Sequence, residues 1–291
     1  MAATTRDDGR APGWQAGRTL RFGVEFRRQL TRWRTKLSLG FLVLLPLILA
    51  LAFQLDTDDS RNSARQSAFG SLAELATGSA LNFAVFVLFV SSTFLLIVVV
   101  ALFCGDSIAS EASWGSLRYL LAIPVPRSRL LMVKLTVALT YSALAVVALT
   151  VSALIFGLAF FGWHDLGTPL GGQLPADVGF GRLWAIAGYL AISLLPIAGL
   201  AFLLSVATDA PLGAVGGAVL LQIVANILDA VTALGDLRQV LPGHYGSAWL
   251  GLLTSPVQSE DILRGTISSL FYATVFTALA WWRFLRKDVV S

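Results

Sequence analysis

Six stretches of this chain are long and almost free of charge, and polar or basic segments divide them. They cover about residues 37–55, 83–104, 135–161, 183–208, 211–228 and 265–282. About 20 apolar residues in helical geometry cross the hydrocarbon core of a bilayer, so each stretch predicts one transmembrane helix. Pro46 lies inside the first and Pro196 inside the fourth, where a proline can kink a helix. The pattern predicts an all-α integral membrane protein with six transmembrane helices. Residues 18–291 form one transmembrane domain, behind a disordered N-terminus over 1–17 that is rich in Ala, Thr, Asp, Gly and Arg.

The segments between the spans carry patterns of their own. From Thr19 to Lys36, apolar residues fall at Phe22, Phe26, Leu30, Trp33 and Leu37, while Arg18, Arg21, Arg28 and Arg32 form a separate stripe. That spacing predicts a basic amphipathic helix in the headgroup plane, an elbow helix leading into the first span. A plain basic segment held by anionic lipid is the alternative. In the loop 105–128, Ile108, Ala112, Trp114, Leu117, Leu120 and Leu121 recur at roughly helical spacing, interrupted by Asp106, Glu111 and Arg118. Pro124 and Pro126 close the run. This predicts an amphipathic helix of about four turns. A helix lying passively on the membrane surface would show the same pattern.

Residues 233–264 are apolar at Leu237, Val240, Leu241, Tyr245, Trp249 and Leu250, yet Pro242, Gly243, Gly246 and Pro256 break any full span. Short helices that dip into the outer leaflet and return, a re-entrant segment, fit that pattern if protein or water covers their backbone. A loop lying on the surface is the alternative. Residues 56–80 are polar and too few for a folded external domain, and 162–182 predict an irregular loop.

Composition supports the membrane reading, and charge orients it. The chain is 56 % hydrophobic and 13 % charged, whereas soluble domains average about 45–50 % apolar and about 25 % charged. A net charge of +4 could point to nucleic acid, but the basic residues flank the apolar runs on alternate sides, as membrane topology requires. Six spans put both termini on one side. With that side cytoplasmic, 16 of the 21 Lys and Arg residues lie inside; Arg61, Arg65, Arg182, Arg238 and Arg264 lie outside. The positive-inside rule therefore predicts a multi-pass protein of the cytoplasmic membrane with both termini cytoplasmic. No cleavable signal precedes the first apolar run, so the first span is expected to remain as a signal-anchor.

Catalytic chemistry has little support. The single cysteine, Cys104, excludes an internal disulfide and a cysteine-built zinc site, and neither His164 nor His244 lies in a metal-ligand motif. The sequence has no Gly-x-Ser-x-Gly elbow, no His-Glu-x-x-His and no Gly-x-x-x-x-Gly-Lys-[Ser/Thr] phosphate loop. No cofactor is expected in this chain. Polar residues within spans are costly and are functional candidates for that reason. Gln222, Asn226 and Asp229, spaced four and three apart, share one face of the fifth span. They would line a translocation path or a dimer interface; interhelical hydrogen bonding, worth about 0.6 kcal/mol on average, accounts for them equally well.

The loop after the second span carries a resemblance. Glu111, Gly115-Ser116-Leu117, Leu120-Leu121, Pro124, Arg127 and Lys134 resemble the first cytoplasmic loop of the type-2 permease family of ATP-binding-cassette (ABC) transporters, with Ser116 where Thr is usual. Leu241-Pro242-Gly243-His244-Tyr245, followed by Trp249, looks like that family's re-entrant stretch between its last two spans. The order of spans extends the resemblance to most of the chain, which would then be a single permease domain. It implies that the loop helix is a coupling helix docking on a separate ATPase subunit. The residues so implied are Asp106, Glu111, Trp114, Gly115, Leu117, Arg118 and Leu121, with Glu111 and Arg118 as polar contacts and Trp114 and Leu117 as the buried anchor.

Two copies of the ATPase, which would bind the ATP and Mg, and a second permease subunit, same or homologous, complete the implied complex. The expected function is the transmembrane subunit of an ABC exporter moving a hydrophobic or amphipathic, drug- or lipid-like substrate. A non-transporting sensor or assembly module that recruits a cytoplasmic partner would share these spans and this topology. An ion-coupled transporter would share them too.

Overall fold

The computed structural model of the chain describes residues 20–55, 75–113, 126–168 and 172–286. Helix α1 (Phe22–Thr31) stops at Arg32, whose backbone is extended, and α2 (Trp33–Leu55) follows directly. Next come α3 (Ala80–Thr93), α4 (Leu95–Ser113), α5 (Arg127–Phe161), α6 (Ala176–Ser193), α7 (Leu195–Ala207), α8 (Pro211–Ala230) and α9 (Glu260–Arg286). Two 3₁₀ segments, Thr232–Val240 and His244–Leu253, join α8 to α9. Six helices, with α6 and α7 taken together, are long and apolar enough to cross a membrane. Five of the six expected spans fall on these helices, and the second, 83–104, is divided between the shorter α3 and the first half of α4; the chain is a helical, multi-pass membrane protein.

The helices run alternately up and down. One end of the bundle gathers α1, the starts of α2, α5 and α8, and the ends of α4, α7 and α9; Arg127 reaches the Leu285 carbonyl there and Arg283 the Ala207 carbonyl. This is the basic end. The far end carries the two 3₁₀ segments and a two-residue antiparallel ladder that pairs Leu166 with Leu174 and Gly167 with Gln173. The expected irregular loop is therefore partly ordered. Asn82 clamps that ladder, accepting from the Gly167 N–H at 2.9 Å and donating to its carbonyl at 2.8 Å. Helix α6 begins at Ala176, earlier than the apolar run begins, because Pro175 precedes it and Asp165 accepts the Ala176 N–H.

Helix α4 is the axis. Some 78 % of its apolar stretch is buried, against 17 % for α8 and 11 % for α9. A helix apolar all round is satisfied by protein or by lipid, so the outer helices present their apolar sides to the surroundings while α4 is enclosed. Close packing between α4 and α7 is locked by Ser205, whose Oγ accepts the backbone N–H groups of Ile108 at 3.0 Å and Ala109 at 2.9 Å.

Two spans are broken inside the bundle. Pro46 leaves α2 continuous. Pro196, in contrast, follows a break at Leu194, because it has no N–H for the Ile192 carbonyl. The second span also breaks, at Phe94, where φ is −143° and ψ is −51°. Just before it, Ser92 and Thr93 both donate their hydroxyls to the Phe89 carbonyl, at 2.8 and 3.2 Å, competing with the helical ladder.

Candidate functional site

Polar groups gather inside the bundle at two places. At the basic end, Asp106 and Glu111 on the last turns of α4 are 4 % and 2 % exposed. Arg32 Nη1 donates to Asp106 Oδ2 at 3.0 Å and Arg34 Nη1 to Asp106 Oδ1 at 2.9 Å. Glu111 Oε1 accepts from Lys134 Nζ at 2.8 Å and lies 3.4 Å from Arg32 Nη2 and 3.0 Å from Arg28 Nη1. Lys134 also donates to Glu25 Oε1 at 2.5 Å.

This network needs an unusual orientation of α1. Its buried residues are the polar Glu25 and Gln29, while Phe22, Leu30 and the following Trp33 are exposed. The apolar stripe can face lipid, whereas a carboxylate cannot, so the polar stripe turns to the protein. Tyr141 on α5 anchors it, stacking 4.7 Å from Phe26 and donating its hydroxyl to the Phe26 carbonyl at 2.8 Å. A buried charge costs several kcal/mol unless it is paired and hydrogen-bonded. Here three carboxylates meet four cations, and the pairs tie together α1, α2, α4 and α5.

Asp106 and Glu111 thus turn inward, on the buried end of a spanning helix rather than on a separate surface helix. The rest of the expected coupling residues, Trp114, Gly115, Leu117, Arg118 and Leu121, lie outside the described residues.

The second place is a cavity of about 240 Å³ in the far half of the bundle, open on one side. Both helix breaks line it: Phe89, Ser92, Thr93 and Ile97 from α3 and α4, and Ser193, Leu194 and Pro196 from α6 and α7. Helix α8 contributes Gln222, Asn226 and Asp229, the face expected to line a path or interface. The structure brings all three to this wall. Gln222 Nε2 donates to Asn226 Oδ1 at 2.9 Å. Asp229 Oδ1 is paired with His244 Nδ1 of the second 3₁₀ segment.

That segment closes the cavity because of two features. Gly243 has a φ of +98°, a left-handed turn that aims the backbone at α8; a Cβ there would stand 2.6 Å from Gln222 Nε2. Trp249, 2 % exposed, packs its ring 6.0 Å from that of Phe89. The segment is held from behind by Arg182, whose Nη1 donates to the Leu252 and Thr254 carbonyls, both at 2.7 Å, and by Tyr189, which donates to the Tyr245 carbonyl at 2.6 Å.

Several contributors escaped the sequence reading. Arg32, Arg34 and Lys134 are visible in the sequence only as stripe, topology or motif positions, and Glu25, Ser92, Thr93 and Ser193 carry no such mark. The usable signal was opposite charge in segments flanking neighbouring spans. Among the described residues, no three His, Cys, Asp or Glu side chains converge as metal ligands would.

No curated protein matches the chain. A model of the family described as a protein of unknown function (DUF2705) matches residues 47–290, from inside α2 to beyond the end of α9. The matched part holds both carboxylates of α4, Lys134 and every residue that lines the cavity. The chain therefore belongs to the DUF2705 family.

Proposed function

We propose that this chain is the transmembrane subunit of an ABC exporter, driven by ATP hydrolysed on a separate subunit. The resemblance of Glu111 to Lys134 to a type-2 permease coupling loop supports it, and so does the six-helix bundle. On this reading α1 is the elbow helix on the cytoplasmic leaflet, the basic end faces the cytoplasm and both termini lie there. The loop after α4 carries the coupling helix, and the 3₁₀ segments form the outer-leaflet re-entrant element. A second permease subunit and two ATPase copies complete the assembly, in the cytoplasmic membrane.

One observation carries the proposal: Glu111 and Lys134 are ion-paired across the base of that loop. The loop leaves α4 and re-enters at α5, and the charges at its base also bind α1 and α2. A displacement of the loop by a closing ATPase dimer then moves four helices together. Force enters through Trp114 and Leu117; Asp106 and Glu111 are the internal struts that pass it on. The substrate is hydrophobic or amphipathic, in keeping with the apolar surroundings of the bundle.

The test is purification of the chain from its host in mild detergent. A stoichiometric partner carrying a phosphate loop is expected, with ATPase activity that the permease stimulates. Trp114→Ala should abolish that stimulation and leave the helix content unchanged. Absence of any such partner from a folded preparation would overturn the reading in favour of a chain that works without ATP.

A further inference from the structure

The cavity between the two helix breaks has chemistry of its own. Its wall is rich in hydrogen-bond acceptors. Ser92, Thr93 and Ser193 donate their hydroxyls to the carbonyls of Phe89 and Leu190, which leaves their oxygen lone pairs for other partners. Asp229 supplies a carboxylate and Gln222 an amide oxygen. Among the described residues, no Lys or Arg lines the wall, and His244 and Asp229 are the ionisable residues on it. Arg238 directs its guanidinium to the backbone carbonyls of Gly235 and Asp229 and does not line the cavity.

His244 Nδ1 meets Oδ1 of Asp229, so the second carboxylate oxygen is the one that can take a further donor. The wall also presents the rings of Phe89 and Trp249, suited to a cation or an apolar chain. At about 240 Å³ the cavity has room for a head group with a short tail.

We propose that this cavity binds a protonated amine bearing a short apolar chain, with the ammonium at Asp229 and the chain against Phe89 and Trp249. Such a ligand supplies a charged N–H donor for Asp229 and the hydroxyl oxygens, where the wall's own amide N–H groups, on Gln222 and Asn226, are neutral. It is excluded neither by size nor by charge, whereas a carboxylate or phosphate would face Asp229 with no Lys or Arg among the described wall residues to receive it. The inference rests on the transport reading only in calling this amine a substrate; binding itself needs no ATPase, so the two can fail separately.

The test uses the full chain in lipid nanodiscs, titrated calorimetrically with hexylammonium, hexanol and hexanoate, with empty discs subtracted for lipid partitioning. Saturable hexylammonium binding is expected, at least tenfold tighter than that of the other two. Asp229→Asn should weaken it at least tenfold, and Asp236→Asn, on the exposed surface beside the cavity, should leave it within twofold. Asn226→Lys, which sets an ammonium at the exposed edge of the same wall, gives a second reading if Asp229→Asn does not fold. Equal binding of the three probes overturns the proposal. So does undiminished hexylammonium binding in a folded Asp229→Asn or Asn226→Lys variant, or saturable sodium binding with no amine binding.

Discussion

Lys134 Nζ lies 2.8 Å from Glu111 Oε1, and this pair joins the last turns of α4 to the start of α5 across 23 residues of chain. Both side chains are almost fully buried, at 3 % and 1 % exposure. A contact of this kind contributes more to geometry than to net stability, because its Coulomb gain is offset by desolvation of both charges.

Removal of one partner is another matter. Lys134→Met leaves Glu111 and Glu25 short of their shared cation, and should cost about 3–5 kcal/mol in denaturation from mild detergent. Glu111→Gln combined with Lys134→Met should recover part of that loss. A single-variant cost below about 1 kcal/mol would mean that Arg28 and Arg32 already compensate the carboxylates.

Gly243 and Gly246 make a matched comparison three residues apart. Gly243 has a positive φ and a neighbour at 2.6 Å for any added Cβ, whereas nothing lies within 4 Å of one at Gly246. Gly243→Ala should therefore destabilise by about 1–3 kcal/mol. The cost of Gly246→Ala should stay within about 0.5 kcal/mol, the usual range for a surface change. Thermal unfolding of both variants measures the difference; equal costs would show that the turn is not strained by a side chain.

Arg182 fixes the second 3₁₀ segment through two backbone carbonyls. Arg182→Met removes both bonds, and each charge-assisted bond is worth about 1.5–3 kcal/mol. Hydrogen exchange over 244–258 should speed up while α4 stays protected. Acceleration spread evenly over the bundle would instead assign Arg182 a global role.

Orientation has a direct assay. Cys104 is fully buried and should not react, so single cysteines at exposed Glu260 and Arg286 report the two ends of α9. On intact cells a membrane-impermeant maleimide is expected to label position 260 and to spare 286. The reverse pattern would invert the topology that the basic residues predict.

Much of this fold was legible because lipid imposes simple rules. Length and the absence of charge locate a spanning helix with no knowledge of its neighbours, so the runs at 37–55 and 211–228 lie inside α2 and α8. Gln222, Asn226 and Asp229 were legible as one face for the same reason: helical periodicity is local. What could not be read is what local pattern does not contain. Pro46 and Pro196 look alike in sequence and both lack an N–H for the carbonyl four residues back, yet only the second lies at a break, a difference that local pattern does not carry. Glu111 looked like a surface contact in an amphipathic pattern, and its three cations come from segments up to 83 residues away, which pattern alone cannot pair. His244 joined Asp229 only through the turn at Gly243.

The facing breaks at Phe94 and Leu194 give the bundle a crease. An unbroken helix resists bending with its whole ladder of hydrogen bonds, whereas these two bend where the ladder is already cut. Below the crease, α4 and α7 are stapled together by Ser205 and can tilt as a block. Above it, Asn82 ties α3 to the two-residue ladder and Arg182 ties α6 to the second 3₁₀ segment. On the proposed reading, a push at the basic end would change the width of the pocket at the fold line, with no helix having to slide along its neighbour.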